Sequence, residues 1–399
     1  MSETKSETMS GTPSVAPSRA APDAAPDVVT RTVCLLGFGN VGRRFCELVA
    51  RKTDELADGH GLRILFGAVG TGSHGSLLAP HGLTAQEVLA LARGGSETAG
   101  AATLSGTGTP AATTLSDGGA PTATWSFPDA VTPGVDLIAA SGADVLVEAT
   151  PLDPHGGRAA IAHLEAGFAH GLDAITVNKG PIAWDFRRLA DLAASRGRRL
   201  LFEGTVMDGC PVFSLFRSCL PGCRLLGFDA VFNSTTNYIL DAMGEGVGFA
   251  DALAQVQADG YAEADPSHDI DGHDAAAKTA ALANVLMAAD MTPDDVPKDS
   301  VRDVTPERVA RARAAGRRLR VVCSAATDEV AAGPSRVRGA VRLTELPAEH
   351  PLFSASGSTL SVLLHTDLMG TIQVAERDAL PEQTAYAVYA DLLAIHEGR

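Results

Sequence analysis

Short apolar runs alternate with segments of helical period through the first half of this chain. The runs cover residues 31–36, 63–69, 144–150, 173–177 and 199–203, and amphipathic stretches occupy about 42–57, 157–169 and 184–195. Such alternation predicts an α/β fold, a Rossmann-type doubly wound sheet with right-handed crossovers. From residue 204 the pattern changes. Strands are expected at 227–233, 319–323, 335–343, 358–365 and 371–376. Helices are expected near Pro211, from Ser234, over 249–259 and from about Asp271, and the chain closes in an amphipathic helix, 381–395, with Pro381 in its first turn. The second half is therefore expected to form an α+β domain with a mixed sheet able to pair across a dimer.

The first run leads straight into Gly37-Phe38-Gly39-Asn40-Val41-Gly42 and then a helix. Strand before and helix after is the context in which Gly-x-Gly-x-x-Gly binds a dinucleotide. Gly37 permits the tight turn, Gly39 lets backbone approach a pyrophosphate, and Gly42 lets the helix lie close to the strand, with the helix N-terminus facing the phosphates. After the second run, Thr71, Ser73 and His74 are candidate phosphate contacts. No Asp or Glu occurs from Leu62 to Gln86 to hold ribose hydroxyls, which favours NADP or dual use over strict NAD. Thr150, Pro151, Asn178 and Lys179 follow later strands, at the carboxyl edge where such sheets bind ligands. A lysine there can orient a substrate or move a proton.

Composition narrows the partners. A net charge of −16 with 20% charged residues excludes the basic surface that nucleic acid or an anionic membrane needs. No run of about eighteen apolar residues is present for a membrane span. The six cysteines are not densely spaced and read as reduced thiols, pointing to the cytoplasm. Residues 1–30, rich in Ala, Pro, Ser and Thr, read as a disordered tail, and residues 94–122, almost without large apolar side chains, as a flexible insertion. A gathering of arginines from Arg302 to Arg320 reads as a solvated helix face. The expected domains are 31–203, completed by the terminal helix within 379–399, and 204–378.

Residues 259–278 concentrate chemistry. Asp259, Glu263, Asp265, Asp269, Asp271 and Asp274 crowd a loop broken by Gly and Pro, and Asp274 and Lys278 lie four apart at the start of an apolar helix. A calcium loop with Gly272 at its sixth position would end on Lys278, the wrong charge, and His268 and His273 lack zinc-site company. A lysine entering a packed interior is expected to be desolvated and lowered in pKa, hence useful as a base.

These stretches resemble homoserine dehydrogenases nearly letter for letter. The similarity rests on Gly-Tyr-Ala-Glu-Ala-Asp-Pro from Gly260, the run Asp269 to Lys278, Thr-Asn-Tyr-Ile-Leu from Thr236, Asn178-Lys179, and Thr366-Asp-Leu-Met-Gly370. It implies NAD(P)-dependent interconversion of homoserine and aspartate semialdehyde on the route to threonine and methionine, in a homodimer. It further implies proton handling by Lys179 and Lys278 with Asp274. Glu263, Asp269 and Asp274 would hold the amino acid, with Tyr261 and Thr235 nearby. A sodium ion would lie on the backbone oxygens of Glu203, Val206, Asp208 and Cys210. The chain departs from the family where Ser234, Met207 and Asp208 replace glycines and where 373–383 replaces a Gly-Ala-Gly loop; no regulatory module is expected after the last helix. The alternatives are a related dehydrogenase for another short hydroxy or amino acid, and a non-catalytic nucleotide sensor.

Overall fold

The computed structural model describes residues 28–72, 75–98, 133–153, 155–262, 265–328 and 336–399. The expected disordered tail and most of the expected insertion lie outside them, as do Ser73, His74 and Glu263. The first strand starts slightly earlier than expected: β1 (Val29–Leu36) already pairs at Val29 with Leu62.

The first sheet is built as its apolar runs require. After β1 come α1 (Asn40–Arg51), α2 (Thr53–His60), β2 (Leu62–Gly70), β3 (Ser76–Leu83), α3 (Ala85–Thr98), α4 (Pro133–Ala140), β4 (Val145–Glu148), α5 (Arg158–Ala169), β5 (Asp173–Thr176), α6 (Lys179–Ser195) and β6 (Leu200–Leu201). Strand order is β3-β2-β1-β4-β5-β6, parallel throughout except for β3, which folds back antiparallel on β2. Two details differ from expectation. β3 is an edge strand hidden in the sequence by Pro80 and Gly82, a position where both residues are tolerated. The supposed insertion is helical to Thr98, because α3 continues from its anchored residues Ala85 and Val88 through Gly94-Gly95.

The second sheet follows a short 3-10 turn, Glu203–Thr205. The helix expected near Pro211 is a brief segment that widens to a π-turn over Leu215–Cys219 before Pro221-Gly222 stops it. Then come β7 (Leu225–Val231), α7 (Ser234–Gly244), α8 (Phe249–Ala258), α9 (Ser267–Ile270), α10 (His273–Leu286), α11 (Pro306–Ala314), β8 (Arg317–Asp328), β9 (Arg336–Pro347), β10 (Leu360–Thr366), β11 (Thr371–Glu376) and α12 (Pro381–His396). The five strands run β11-β10-β7-β8-β9 and every neighbouring pair is antiparallel, so the mixed sheet is the first one; here the parallel element is an isolated bridge, Lys298 to Val341.

Two packing choices position the site. α12 returns to the first sheet, where Val388, Leu392 and Ile395 share a core with Phe45, Val49 and Leu35. α10 buries Ala275, Ala276, Ala280 and Ala281 and packs against α6, β8 and β9. Small side chains let the helix axes approach closely, so α10 enters the interior with its polar face turned to the start of α6. Gly272, at φ +75°, breaks α9 from α10, and a Cβ there would lie 3.0 Å from the Asp299 carbonyl oxygen.

Deeper in the second half, Arg320 is 1% exposed and pairs with Asp241 on α7. Its Nε also donates to the Ala355 carbonyl at 2.7 Å. Removing the carboxylate leaves a buried charge uncompensated. Asp241→Ala is therefore expected to lower unfolding free energy by about 3–5 kcal/mol in urea denaturation. Glu55→Ala, which breaks the exposed Lys52–Glu55 pair, is expected to cost about 1 kcal/mol or less.

Candidate active site

The glycine turn has the shape a dinucleotide needs. Gly37 sits at φ +96°, and a Cβ on it would lie 2.1 Å from the Ala149 carbonyl oxygen, while one on Gly42 would lie 2.0 Å from the Gly37 carbonyl oxygen. Neither position tolerates a side chain. Gly39 differs, since a Cβ there meets nothing within 4 Å, leaving open space in front of the helix. Gly39 is also the N-cap of α1, which has no side-chain cap and no acidic residue in its first turn. Uncapped amides and the positive end of the helix dipole therefore face that space beside Asn40 and Val41, a fit for a pyrophosphate. Phe38 and Val41 are half-buried and pack on the first core. At the end of β2, the Thr71 hydroxyl donates to the Gly75 carbonyl at 3.0 Å and closes its own turn.

The turn continues physically into the second half of the site. Ala149, against Gly37, precedes Thr150, whose amide and hydroxyl both bond the buried Glu148 carboxylate. Glu148 also accepts from the Thr176 hydroxyl at 3.0 Å, and the Asn178 amide N–H donates to that hydroxyl oxygen at 3.0 Å. The Asn178 side chain donates to the carbonyls of Thr150 at 3.1 Å and Pro151 at 3.3 Å, while its own oxygen caps α6 by accepting from Gly180 N–H. Lys179 is thus the first residue of α6 rather than the end of a strand. β5 stops at Thr176, and the Asn178 cap fixes where the helix starts.

Across the gap stands α10. Lys179 Nζ lies 2.6 Å from Asp274 Oδ1, and Lys278 Nζ lies 3.3 Å from Asp274 Oδ2. Lys278 also donates to the Phe232 carbonyl at 2.9 Å. Asn233, the N-cap of α7, donates from one amide nitrogen to Asp269 Oδ1 at 2.7 Å and Asp274 Oδ2 at 3.1 Å. Thr235 follows it and donates to the Tyr261 carbonyl at 3.0 Å. All three charged members are largely shielded, with side-chain exposures of 20% for Lys179, 15% for Lys278 and 12% for Asp274.

Electrostatics follow from this bridge. Burial alone would raise the Asp274 carboxyl, but the Lys179 and Lys278 charges outweigh it and hold it far below the usual carboxylate range. Burial pulls the Lys278 ammonium down, yet Asp274, Asp208 and Asp269 more than offset this, so its pKa is raised. The expectation that burial lowers Lys278 is corrected: three carboxylates converging from separate segments reverse the sign. Asp269 is raised, first by burial and then by the neighbouring Asp274 charge.

The remaining expected residues sit elsewhere. The Tyr261 ring is exposed and stacks on Tyr238, with centroids 4.3 Å apart, so its link to the site is its carbonyl. Glu203 is buried and accepts from the amides of Val212, Phe213 and Ser214, which fixes the turn holding Val206, Asp208 and Cys210. Asp208 adopts φ +46° and accepts from the Thr384 hydroxyl at 2.8 Å. At Gly209 a Cβ would lie 2.4 Å from the Gln383 carbonyl oxygen. The turn around Asp208 and the segment 373–383 are therefore in direct contact. Sequence reasoning missed Asn233 and Glu148. Asn233, just before Ser-Thr-Thr at a helix start, carried a capping signal; Glu148, one acid inside an apolar strand, carried a weaker one.

Comparison with known proteins agrees with this geometry. The homoserine dehydrogenase family profile matches residues 211–393. The chain is 32% identical to the NAD(+)-dependent homoserine dehydrogenase of Pseudomonas canavaninivorans, over 92% of this chain and 96% of that protein. It is 31% identical to the homoserine dehydrogenase of Sulfurisphaera tokodaii, over 63% of this chain and 77% of that protein. The fold matches a hyperthermophilic archaeal homoserine dehydrogenase solved with NADPH at a TM-score of 0.71 and 23% identity, covering 93% of this chain and 99% of that one. This chain belongs to the homoserine dehydrogenase family, NAD(P)-dependent oxidoreductases that act on a hydroxyl group.

Proposed function

We propose that this enzyme interconverts L-homoserine and L-aspartate 4-semialdehyde, and that Lys179, Lys278 and Asp274 handle the proton at the substrate oxygen. The observation that carries this reading is the Asp274 bridge between two shielded lysines, joined through Asn178 and Thr150 to the glycine turn. Nicotinamide, when bound, supplies or accepts the hydride. Reducing the aldehyde makes the carbonyl oxygen an anion, and a protonated lysine is the group to meet it. Asp274 orients both ammonium groups and helps hold the Lys278 pKa up. Glu263, Asp269 and Asp274 would hold the substrate ammonium, with Thr235 close by and Tyr261 reaching the site through its carbonyl. Gly37 to Gly42, Thr71, Thr150, Pro151, Asn178 and Lys179 would hold the dinucleotide.

Dual cofactor use is the reading the second strand supports, with NADP slightly favoured: no acid follows β2 to claim the ribose hydroxyls, although the Pseudomonas relative is NAD(+)-dependent by name. The carbonyls of Glu203, Val206, Asp208 and Cys210 have the hard-oxygen chemistry of a sodium site. Among the described residues no group of three His, Cys, Asp or Glu side chains is placed to hold a metal, so a cation would rest on such carbonyls. We also infer a dinucleotide domain of 31–203 closed by 379–399, a substrate domain of 204–378, a homodimer, and a cytoplasmic address. The homodimer reading draws on the exposed Leu226, Leu368 and Met369 beside the Arg224–Asp367 pair. No helix among the described residues is long and apolar enough to cross a membrane.

A second substrate, another short hydroxy or amino acid, is favoured by two observations. Ser234 is half-buried between Asn233 and Thr235 and makes no side-chain hydrogen bond among the described residues, and 373–383 presses on the turn at Asp208. Comparing aspartate semialdehyde with a panel of small aldehydes separates the readings: a preference for another aldehyde selects the second.

Lys179→Ala and Lys278→Ala, made separately, are expected to lower kcat for semialdehyde reduction by about 10²–10⁴-fold, measured as NADPH oxidation. Intact turnover in both would remove the mechanism. Oxidation of homoserine needs a neutral lysine, and the raised Lys278 pKa sets where that form appears. The kcat/KM for homoserine should keep rising with pH through the ordinary lysine value of about 10.4. Asp208→Asn should shift that rise to lower pH. Thr71→Asp, placing an acid after β2, should lower kcat/KM for NADPH about tenfold relative to NADH in steady-state assays.

A further inference from the structure

The arginines gathered late in the sequence do not share one solvated helix face. Arg313, Arg317, Arg318 and Arg320 line a single cavity of about 710 Å³, the size range of small-molecule sites. Its acidic lining consists of Asp241, Glu245 and Asp259. Pairing uses up two of the four arginines and two of the three acids. Arg320 is held by Asp241, and Arg313 by Glu245 at 2.6 Å and the Gly244 carbonyl.

Two guanidiniums remain against Asp259. Arg318 lies 4.8 Å from the Phe353 ring centroid and donates one nitrogen to the Phe353 carbonyl at 3.0 Å, which fixes its plane without neutralising it. Arg317 is exposed and makes no ion pair or side-chain hydrogen bond among the described residues. In a chain of net charge −16, whose general field repels anions, a concave surface with excess positive charge is a local reversal. Guanidinium forks match carboxylate and phosphate oxygens in geometry as well as charge. The stacked Tyr238 and Tyr261 rings, inclined by 26°, form another part of the wall.

We propose that this cavity binds a small anion bearing carboxylate or phosphate groups, with Arg317 and the free edge of Arg318 as its donors. It lies apart from the Lys179–Asp274–Lys278 bridge and meets the candidate site at Tyr261, whose carbonyl accepts from Thr235. The cavity takes the C-terminal part of α7 from Tyr238 to its cap at Glu245, whereas Asn233 and Thr235 serve the site from the N-terminal end.

The test is calorimetric titration of the full-chain enzyme, saturated with NADPH or NADH, with inorganic phosphate in one arm and succinate in the other, at fixed ionic strength. Saturable binding in either arm that weakens about tenfold or more in Arg317→Glu supports the site and identifies the anionic group. The same binding should weaken as potassium chloride is raised. Arg317→Ala should fall between wild type and Arg317→Glu, and both variants should keep the wild-type melting temperature in chloride. Binding no stronger than chloride in both arms, or equal affinity in Arg317→Glu, overturns the proposal. The binding readout requires no turnover, so it stands or fails independently of the reaction proposed above.

Discussion

One carboxylate holds the two halves of this enzyme in working register. Asp274 contacts Lys179 from the first half of the chain and Lys278 one helical turn along its own helix. Each lysine is tethered a second way, Lys179 through the Asn178 cap of α6 and Lys278 through the Phe232 carbonyl. The bridge is shielded enough that Coulomb attraction is weakly screened, yet not so dry that the charges are lost to desolvation. Without it two ammonium groups would face each other across the crevice, and like charges there would push the segments apart.

The same bridge explains why the nucleotide turn and the helix can be distant in sequence and adjacent in action. Glu148 lies at the end of β4 and bonds Thr150 and Thr176, and Asn178 bonds back to Thr150 and Pro151. A buried acid thus organises the loops on which a nicotinamide would rest, and the lysine that would meet the substrate oxygen extends from the same cap. The departures from the family pattern also form a unit. Asp208 stands in a left-handed conformation that suits glycine, and its carboxylate is held by Thr384 at the start of α12. That carboxylate also helps raise the Lys278 pKa, so a change in the turn reaches the proton chemistry.

Much of this was legible in the residues because local signals were consistent. The glycine turn had its strand and helix on either side, and Asp274 and Lys278 stood four apart at the start of an apolar helix. Other features required long-range convergence. β3 carries Pro80 and Gly82, which read as breakers until the strand is seen at a sheet edge. The sign of the Lys278 shift depends on Asp208 and Asp269, and no spacing rule brings Asp208 to a helix seventy residues away. The late arginines looked like one helix face because α11 ends and β8 begins within them; the turn between those elements is what sends four of them to one cavity.

In the proposed mechanism Lys179 and Lys278 act as one unit through Asp274. A double-mutant cycle on kcat/KM for semialdehyde reduction, with Lys179→Ala, Lys278→Ala and the double variant, measures that most directly. Groups acting together predict that the double variant loses about as much as the more damaging single one. Losses that multiply would instead show two lysines acting independently of the Asp274 bridge.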